Sequence, residues 1–540
     1  MIVEEAPPQV ASLDYIDIGV IVIYMAAMLG IGAYFMRRQT TAKEYLLAGR
    51  GVGFFAIGLS LLASMNSAVD YVIGPTQIIQ YGFLNLVMIL PVFTSFPFVF
   101  KYFLPFYQRL RLYNCYEYLE HRFDVRVRLT ATLLFILWRI SWMGTTIYLP
   151  AYVLNKVMGL NIFYTILVLG VVTTVYTTMG GVRGVIWTDV TQSFIMFGGL
   201  VVAVWLVVRQ IPGGVAEVWA VAKNSSFMRF TEDIPEMATA TSLWEKVSLY
   251  FHCNVTFWNI LVVGTLGKLT HYGSDHVMVQ RYLAAKSIRD SKNGFVINSV
   301  AYVIYSLLFI ALGMGLFAFS KLNTYPAGWD PDYVFPYFIR QHFPVVMTGL
   351  IIAAIYSAAQ SSVSSGITAI TAAVFSDFYL RLFRGQVSVD ESVSEEVQRH
   401  HVWFSRLCAL GLGIVVTAFA CVVQELHARE GLVELFNKIT GPFGGLIIPL
   451  FVLGMFSRRV RSFGVCVGVL CGLAVSYYWG FATELGFGWI GCAAFVVTVV
   501  VAYVISLFEK EPPEEKQGWL WKSVMARPES TNASSGAGRT

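Results

Sequence analysis

Residues 358–366 read Ala-Ala-Gln-Ser-Ser-Val-Ser-Ser-Gly, with Ser361, Ser364 and Ser365 at positions i, i+3 and i+4. On a helix this spacing puts three hydroxyls on one face, with Ser362 beside them. Hydroxyl oxygens are hard, neutral ligands that suit a monovalent cation. Serine is equally favoured where helices pack closely in a membrane. Isolated ionisable residues stand in similar apolar surroundings: Asp70, Arg139, Asp189 and Lys438. A charge inside a bilayer is costly and marks function by default. Asp70 is either a functional group or a hydrated one near an outer mouth. Arg139, in Ile-Leu-Trp-Arg-Ile-Ser-Trp, cannot face lipid cheaply; it pairs with a solute carboxylate, with Asp70 or with another acid. Asp189 opens a predicted span, as a carboxylate stabilised by a helix dipole or as a cation ligand on the cytoplasmic side. Lys438, near another helix start, either snorkels outward or faces inward.

The elements that must position these groups are membrane helices. Of 540 residues, 56% are hydrophobic and 13% charged, and the mean hydropathy is +0.63. A soluble globular chain carries roughly a quarter charged residues. Apolar runs of about 20 residues recur from Tyr15 to Phe508, each long enough to cross a bilayer core. We count about thirteen spans: 15–36, 53–79, 83–108, 128–157, 160–179, 186–208, 246–271, 293–320, 341–378, 401–426, 431–456, 462–481 and 488–508. The fold class is therefore all-α and integral to a membrane.

Basic residues cluster in alternate loops: Arg37, Arg38, Lys43 and Arg50; Lys101 to Arg128; Arg281, Lys286, Arg289 and Lys292; Arg458, Arg459 and Arg461. The positive-inside rule then places residues 1–14 outside and the C-terminus in the cytoplasm. The acidic N-terminus has no basic n-region, so the first helix is expected to stay in the mature chain. The loop at 209–245 reads as a surface-lying segment, and 509–540 as a disordered cytoplasmic tail. The net charge of +5 is spread over short loops and gives no reason to expect nucleic acid as a partner. Seven cysteines are scattered singly, without metal-ligand spacing. No phosphate-binding loop of the G-x-x-x-x-G-K-[ST] type is present, and no catalytic domain is appended. Neither enzymatic chemistry nor direct ATP coupling is expected. An ion gradient or passive flow remains.

Two spans carry backbone breakers. The second runs from Gly58 through Ser60, Ser64, Asn66, Ser67 and Asp70 to Gly74-Pro75. Proline removes a donor and disfavours helix at the residue before it. Carbonyls freed there need a partner, because lipid offers none. A bound cation is one such partner; a simple kink is the other reading. The span 431–456 has a similar interruption at Asn437-Lys438-Ile-Thr-Gly441-Pro442.

Taken in order, these stretches resemble the solute:sodium symporter family. The carriers are Tyr45-Leu-Leu-Ala-Gly-Arg50, Leu62-Ala-Ser-Met-Asn-Ser-Ala-Val69, Tyr116-Glu-Tyr-Leu-Glu-His-Arg-Phe123, Met179-Gly-Gly-Val-Arg-Gly184, Trp187-Thr-Asp189 and Asp275-His-Val-Met-Val-Gln-Arg-Tyr-Leu283. The resemblance covers 15–508. It implies a LeuT-type core of two inverted five-helix repeats, about 53–208 and 246–456, with one extra N-terminal and two extra C-terminal helices. It implies a sodium site made by carbonyls of Ala63, Asn66 and Ala358 with hydroxyls of Ser361 and Ser362. A second site, known in some members, would use Asp189, Ser361, Ser364 and Ser365. Asp70 and Asn437 fall at sugar-contact positions, but an aspartate departs from the sugar-carrier pattern. Arg139 would suit an anionic solute. Gln77, Asn85 and Lys438 complete the expected solute contacts. The implied activity is sodium-coupled symport of a small polar organic solute, a sugar or a carboxylate, by a chain that functions as a monomer. Sodium is the coupling ion and no cofactor is expected. A proton-coupled or uncoupled carrier of the same fold, or a sensor or channel, are the competing readings.

Overall fold

The computed structural model describes residues 14–110, 112–230, 234–323, 334–386, 393–427, 440–483 and 485–527. These residues are helical apart from connections and one isolated bridge between Val52 and Ala285. Nine helices among them are long and apolar enough to cross a membrane. The shorter Phe54–Met65 and Thr440–Phe456 segments are also apolar.

The span expected at 53–79 breaks in a different place from the one its Gly-Pro suggests. The Phe54–Met65 helix stops at Asn66 (φ −97°, ψ 132°) and Ser67 (φ −124°, ψ 177°), both extended. Ser67 then restarts the helix. Its hydroxyl accepts from the Val69 N–H (3.2 Å), and the Asp70 carboxylate accepts from the Ser67 N–H (2.7 Å). This reciprocal capping satisfies donors that the break exposes. At Gly74-Pro75 the chain remains helical, with proline in the first turn of Gly74–Tyr81, where its missing N–H costs nothing.

A second break was not foreseen. The stretch expected to span at 246–271 divides into a surface helix, Leu243–His252, and a membrane segment reaching Ala284. That segment breaks at Asp275 (φ −82°, ψ 118°), which ends Gly264–Ser274 and caps His276–Ala284 by accepting from the Val277 N–H (3.0 Å). The basic loop expected around Arg281 is thus part of a buried helix. The first and second broken segments are clasped together by Val52 N–H to Ala284 O and Lys286 N–H to Val52 O, each 3.1 Å.

The spans expected at 160–179 and 186–208 are two helices that meet at a kink at Gly181, within Ile162–Arg209. Gly181 has φ +50°, and a Cβ there would meet the Tyr45 carbonyl at 2.8 Å, so only glycine fits. Asp189 therefore lies two turns inside a helix and not at its N-terminus. The serine-rich Met347–Ala373 helix runs through the centre of the bundle and is buried almost throughout. At the end carrying the basic loops, a buried network ties it to its neighbours. Arg128 bonds Asp377 (2.6 Å) and Glu120 (2.9 Å), and Asn114 donates to Asp377 (2.7 Å).

The chain after Leu507 does not trail off at residue 509, as its polarity suggested. Short helices Glu514–Gln517 and Trp521–Ala526 dock beside this network. Trp519 stacks on His121 at 4.2 Å, Lys516 donates to the Glu120 carbonyl (3.0 Å), and Trp521 donates to the Tyr102 carbonyl (3.1 Å). Arg109 donates to the carbonyls of Met525 and Arg527, capping the last helix. Two aromatic rings and buried Val524 offset the polar composition that argued for disorder. Removing the stack (Trp519→Ala) or the cap (Arg109→Ala) is expected to weaken docking by about 1–2 kcal/mol. Trypsin should then cut after Lys516 and Lys522 roughly tenfold faster in limited proteolysis. Unchanged cleavage would show that these contacts do not hold the segment.

Candidate functional site

The first break and the serine helix meet at the centre of the molecule. The last turn of any helix leaves carbonyls without intrahelical donors. Here the Ala63 carbonyl accepts from Ser361 Oγ (2.9 Å), which also reaches the Ala358 carbonyl (3.2 Å). Ser362 Oγ donates to the Asn66 carbonyl (3.3 Å). Three carbonyls and two hydroxyls from two helices thus pair across one interface, Ser361 with Ala63 and Ala358 and Ser362 with Asn66, with all the residues concerned buried. None carries a formal charge, and this donor set suits a hard monovalent cation.

A second cluster lies beside it. Asp189 Oδ2 accepts from Ser60 Oγ (2.6 Å) and Arg281 Nη2 (3.2 Å), with Ser64 and Ser365 hydroxyls at 3.4 and 3.5 Å. Ser64 and Ser365 are 2.8 Å apart. Of the serines expected with Asp189, only Ser365 reaches it. Ser361 is turned to the first cluster, and Ser364 donates to the Ser361 carbonyl (3.2 Å). Arg281 was read as a loop cation, yet it is fully buried and also bonds Ser60 (3.1 Å), Ser365 and the Val277 carbonyl (2.8 Å). Ser60, Ser64 and Arg281 were missed as site residues. The signal was present: Ser60 and Ser64 repeat the i, i+4 spacing of Ser361 and Ser365 on a facing helix.

Three of the expected solute residues share a cavity of about 280 Å³, just beyond the first break. Asp70, Gln77 and Asn85 line it, with Asn66 bordering both this cavity and the five-oxygen cluster. Asn85 is held by the carbonyls of Gln77 (3.1 Å) and Gly82 (3.0 Å). The opposite wall, from Ile288–Leu322, adds Tyr302, Tyr305, Ser306 and Phe309, none of which the sequence pattern singled out. Lys268 stands 3.7 Å from the Tyr302 ring centroid, behind that wall. Asp70 therefore has two tasks: one oxygen caps the restarted helix while the carboxylate lines the cavity.

Arg139 does not join this cavity. It forms a buried ion pair with Asp275 at the second break, with Nε to Oδ1 at 3.2 Å, and its guanidinium lies near the rings of Trp138 and Trp142. Asn437 and Lys438 fall outside the described residues.

The sodium:solute symporter family profile matches residues 45–472. Over 501 residues the chain is 29% identical to the sodium/sialic acid symporter SiaT of Proteus mirabilis, covering 92% of this chain and 96% of that one. It is 31% identical over 482 residues to the human sodium-coupled monocarboxylate transporter 1, covering 87% and 74%. A solved Na+-coupled sialic acid symporter, substrate-bound and outward-open, superposes with a TM-score of 0.81 at 28% identity, covering 92% of this chain and 98% of that one. The nucleobase-cation-symport-1 family transporter Mhp1 shares the fold at a TM-score of 0.53 and 15% identity. The chain belongs to the sodium:solute symporter family. It is a multi-pass membrane protein with a LeuT-type fold, and it works as a secondary carrier that couples a small organic solute to sodium.

The pairing of Arg139 with Asp275 makes a stability prediction. Removing one partner leaves an uncompensated buried charge, at a cost of about 3–5 kcal/mol. Arg139→Met alone should lower the thermal unfolding temperature of the purified protein strongly, and Arg139→Met with Asp275→Leu should recover much of the loss. Loss of solute binding without loss of stability in Arg139→Met would identify a solute contact instead.

Proposed function

We propose that this protein carries a small polar organic solute into the cell together with sodium, by alternating access. The observation that carries this reading is the convergence of the Ala63, Asn66 and Ala358 carbonyls with the Ser361 and Ser362 hydroxyls. Sodium there would take over oxygens that now hydrogen-bond to one another. It would hold the Phe54–Met65 helix against Met347–Ala373 and set the position of Asn66, which also lines the solute cavity. Ion and solute binding would thus reinforce each other through one residue's backbone and side chain. The core would comprise repeats at about 53–208 and 246–456.

The cavity sits at the small end of those that enclose organic ligands, roughly 300–1,000 Å³. Asp70, Gln77, Asn85 and Ser306 offer acceptors and donors for hydroxyl groups. Relatives named for sialic acid and for monocarboxylates weigh toward a hydroxylated carboxylate over a neutral sugar. Lys268, packed against the Tyr302 ring of the cavity wall, is a cation available to such a solute. The basic loops support an N-terminus outside and a C-terminus in the cytoplasm. With both clusters built from a single chain, the working unit is a monomer. An inward membrane potential would add about 2.3 kcal/mol per charge for each 100 mV.

Uptake into proteoliposomes tests the ion site. Ser362→Ala should raise the sodium concentration for half-maximal uptake about tenfold, the loss of one net ligand interaction of about 1.5 kcal/mol. Uptake that ignores a sodium gradient, or that is unchanged in Ser362→Ala, would overturn the reading.

Asp189 supports a second sodium site, with one qualification drawn from Arg281. In this conformation the guanidinium holds the place beside Asp189 that an ion would take. A second ion would therefore bind only when Arg281 withdraws toward its Val277 carbonyl bond. Asp189→Asn is expected to lower the charge-to-solute ratio measured in voltage-clamped vesicles. An unchanged ratio would mean that Arg281 is a permanent counter-ion and a single sodium moves.

A further inference from the structure

The N-terminal helix Tyr15–Met36 packs beside the bent Ile162–Arg209 helix, with Gly32 so close to Tyr176 that a Cβ would meet the Tyr176 carbonyl at 2.8 Å. On the outer side of this seam the two helices line a groove of about 640 Å³. One wall is the stripe Ala27, Gly30, Tyr34 and Arg38; the other is Arg183, Trp187 and Thr191 at i, i+4 and i+8. Both arginines fall at the same end, the end of the basic loops. Tyr34 and Trp187 are 56% and 44% exposed, and the Arg38 guanidinium lies 4.3 Å from the Tyr34 ring centroid.

Among the described residues, no acidic side chain lines the groove. Among the described residues, neither Arg38 nor Arg183 has an ion pair or a side-chain hydrogen bond to protein. Two guanidinium groups thus face the groove with their forked donors unused by carboxylates. The rest of the groove is apolar and open: a Cβ at Gly30 would meet nothing within 4 Å. From Ala27 to Arg38 the helix rises roughly 16 Å. That matches half of a hydrocarbon core of about 30 Å, the depth of one leaflet. Tyrosine and tryptophan at the charged end sit where interfacial aromatics belong.

We propose that this groove binds one anionic glycerophospholipid of the leaflet that the basic loops face. Its phosphate lies between Arg38 and Arg183, which recognise phosphate oxygens in paired hydrogen bonds. One acyl chain runs along Gly30 toward Ala27 and Thr191. Two cations without an ion pair among the described residues favour a headgroup of net negative charge over a zwitterionic one. The assignment needs only the membrane setting, so its failure would leave the sodium-symport reading untouched.

Native mass spectrometry of the full-length protein in non-ionic detergent tests it, with phosphatidylglycerol or phosphatidylcholine of identical acyl chains added. Phosphatidylglycerol should be retained about tenfold better or more. Arg38→Gln with Arg183→Gln should weaken that retention about thirtyfold. Gly30→Leu, which keeps both charges and fills the acyl path, should also weaken it, and it decides the matter if the double variant does not fold. Equal retention of the two lipids by the unaltered protein would overturn the proposal. So would unchanged phosphatidylglycerol binding in Gly30→Leu or in a folded double variant. Displacement of the lipid by inorganic phosphate alone would identify a free-anion site and overturn it as well.

Discussion

Unwound backbone inside a bilayer must find its hydrogen-bond partners within the protein, because the hydrocarbon supplies none. The break at Asn66 and Ser67 is where this constraint acts most strongly. It frees carbonyls at the end of Phe54–Met65, and the serine helix is the element that answers them. To do so it has to approach closely, which explains why Ser357 to Ala373 is an unbroken run of buried, mostly small side chains. The hydroxyls satisfy the carbonyls as donors in the absence of an ion. As acceptors they can turn the same oxygens toward sodium. One set of atoms therefore answers the structural requirement and forms the proposed ion site.

The second break follows the same logic with charge in place of hydroxyls. Asp275 ends one helix and starts the next, and its remaining charge is met by Arg139. Arg281, one turn and a half further on, meets Asp189, Ser60 of the first broken helix and Ser365 of the serine helix. Buried charges of this kind are not cheap stabilisers; a well-packed apolar pair often serves stability as well. Asp275 and Arg281 lie on the second broken segment and their partners Arg139 and Asp189 on Val125–Met158 and Ile162–Arg209, so these pairs tie the second break to two neighbouring helices.

Away from the centre, the end with the basic loops carries the remaining polar structure. The Arg128, Asp377 and Glu120 network, the docked segment 514–527 and the open groove at Arg38 and Arg183 all lie there. The docked segment bridges the helices Leu104–Leu110 and Glu117–Arg122.

The membrane class and the helical fold were legible in the sequence because each rests on local quantities, while the serine spacing alone fitted helix packing as well as an ion site and only the family resemblance pointed to sodium. Apolar run length measures bilayer thickness, and hydroxyl spacing along a helix follows from 3.6 residues per turn. The capping pair Ser67 and Asp70 was equally local, and could have located the first break better than Gly74-Pro75 did. What only the tertiary structure decided was who meets whom. Arg139, Asp189 and Arg281 are each unexplained charges along the chain. Their partners lie 136, 129 and 92 positions away, at Asp275, Ser60 and Asp189. A buried charge must be neutralised by whatever the fold brings near it, and no periodicity within one helix encodes that choice. For the same reason the sequence could flag Asp70, Gln77 and Asn85 as polar, while the wall of Tyr302, Tyr305 and Phe309 that turns them into a cavity came only from the packing of a helix more than 200 residues away.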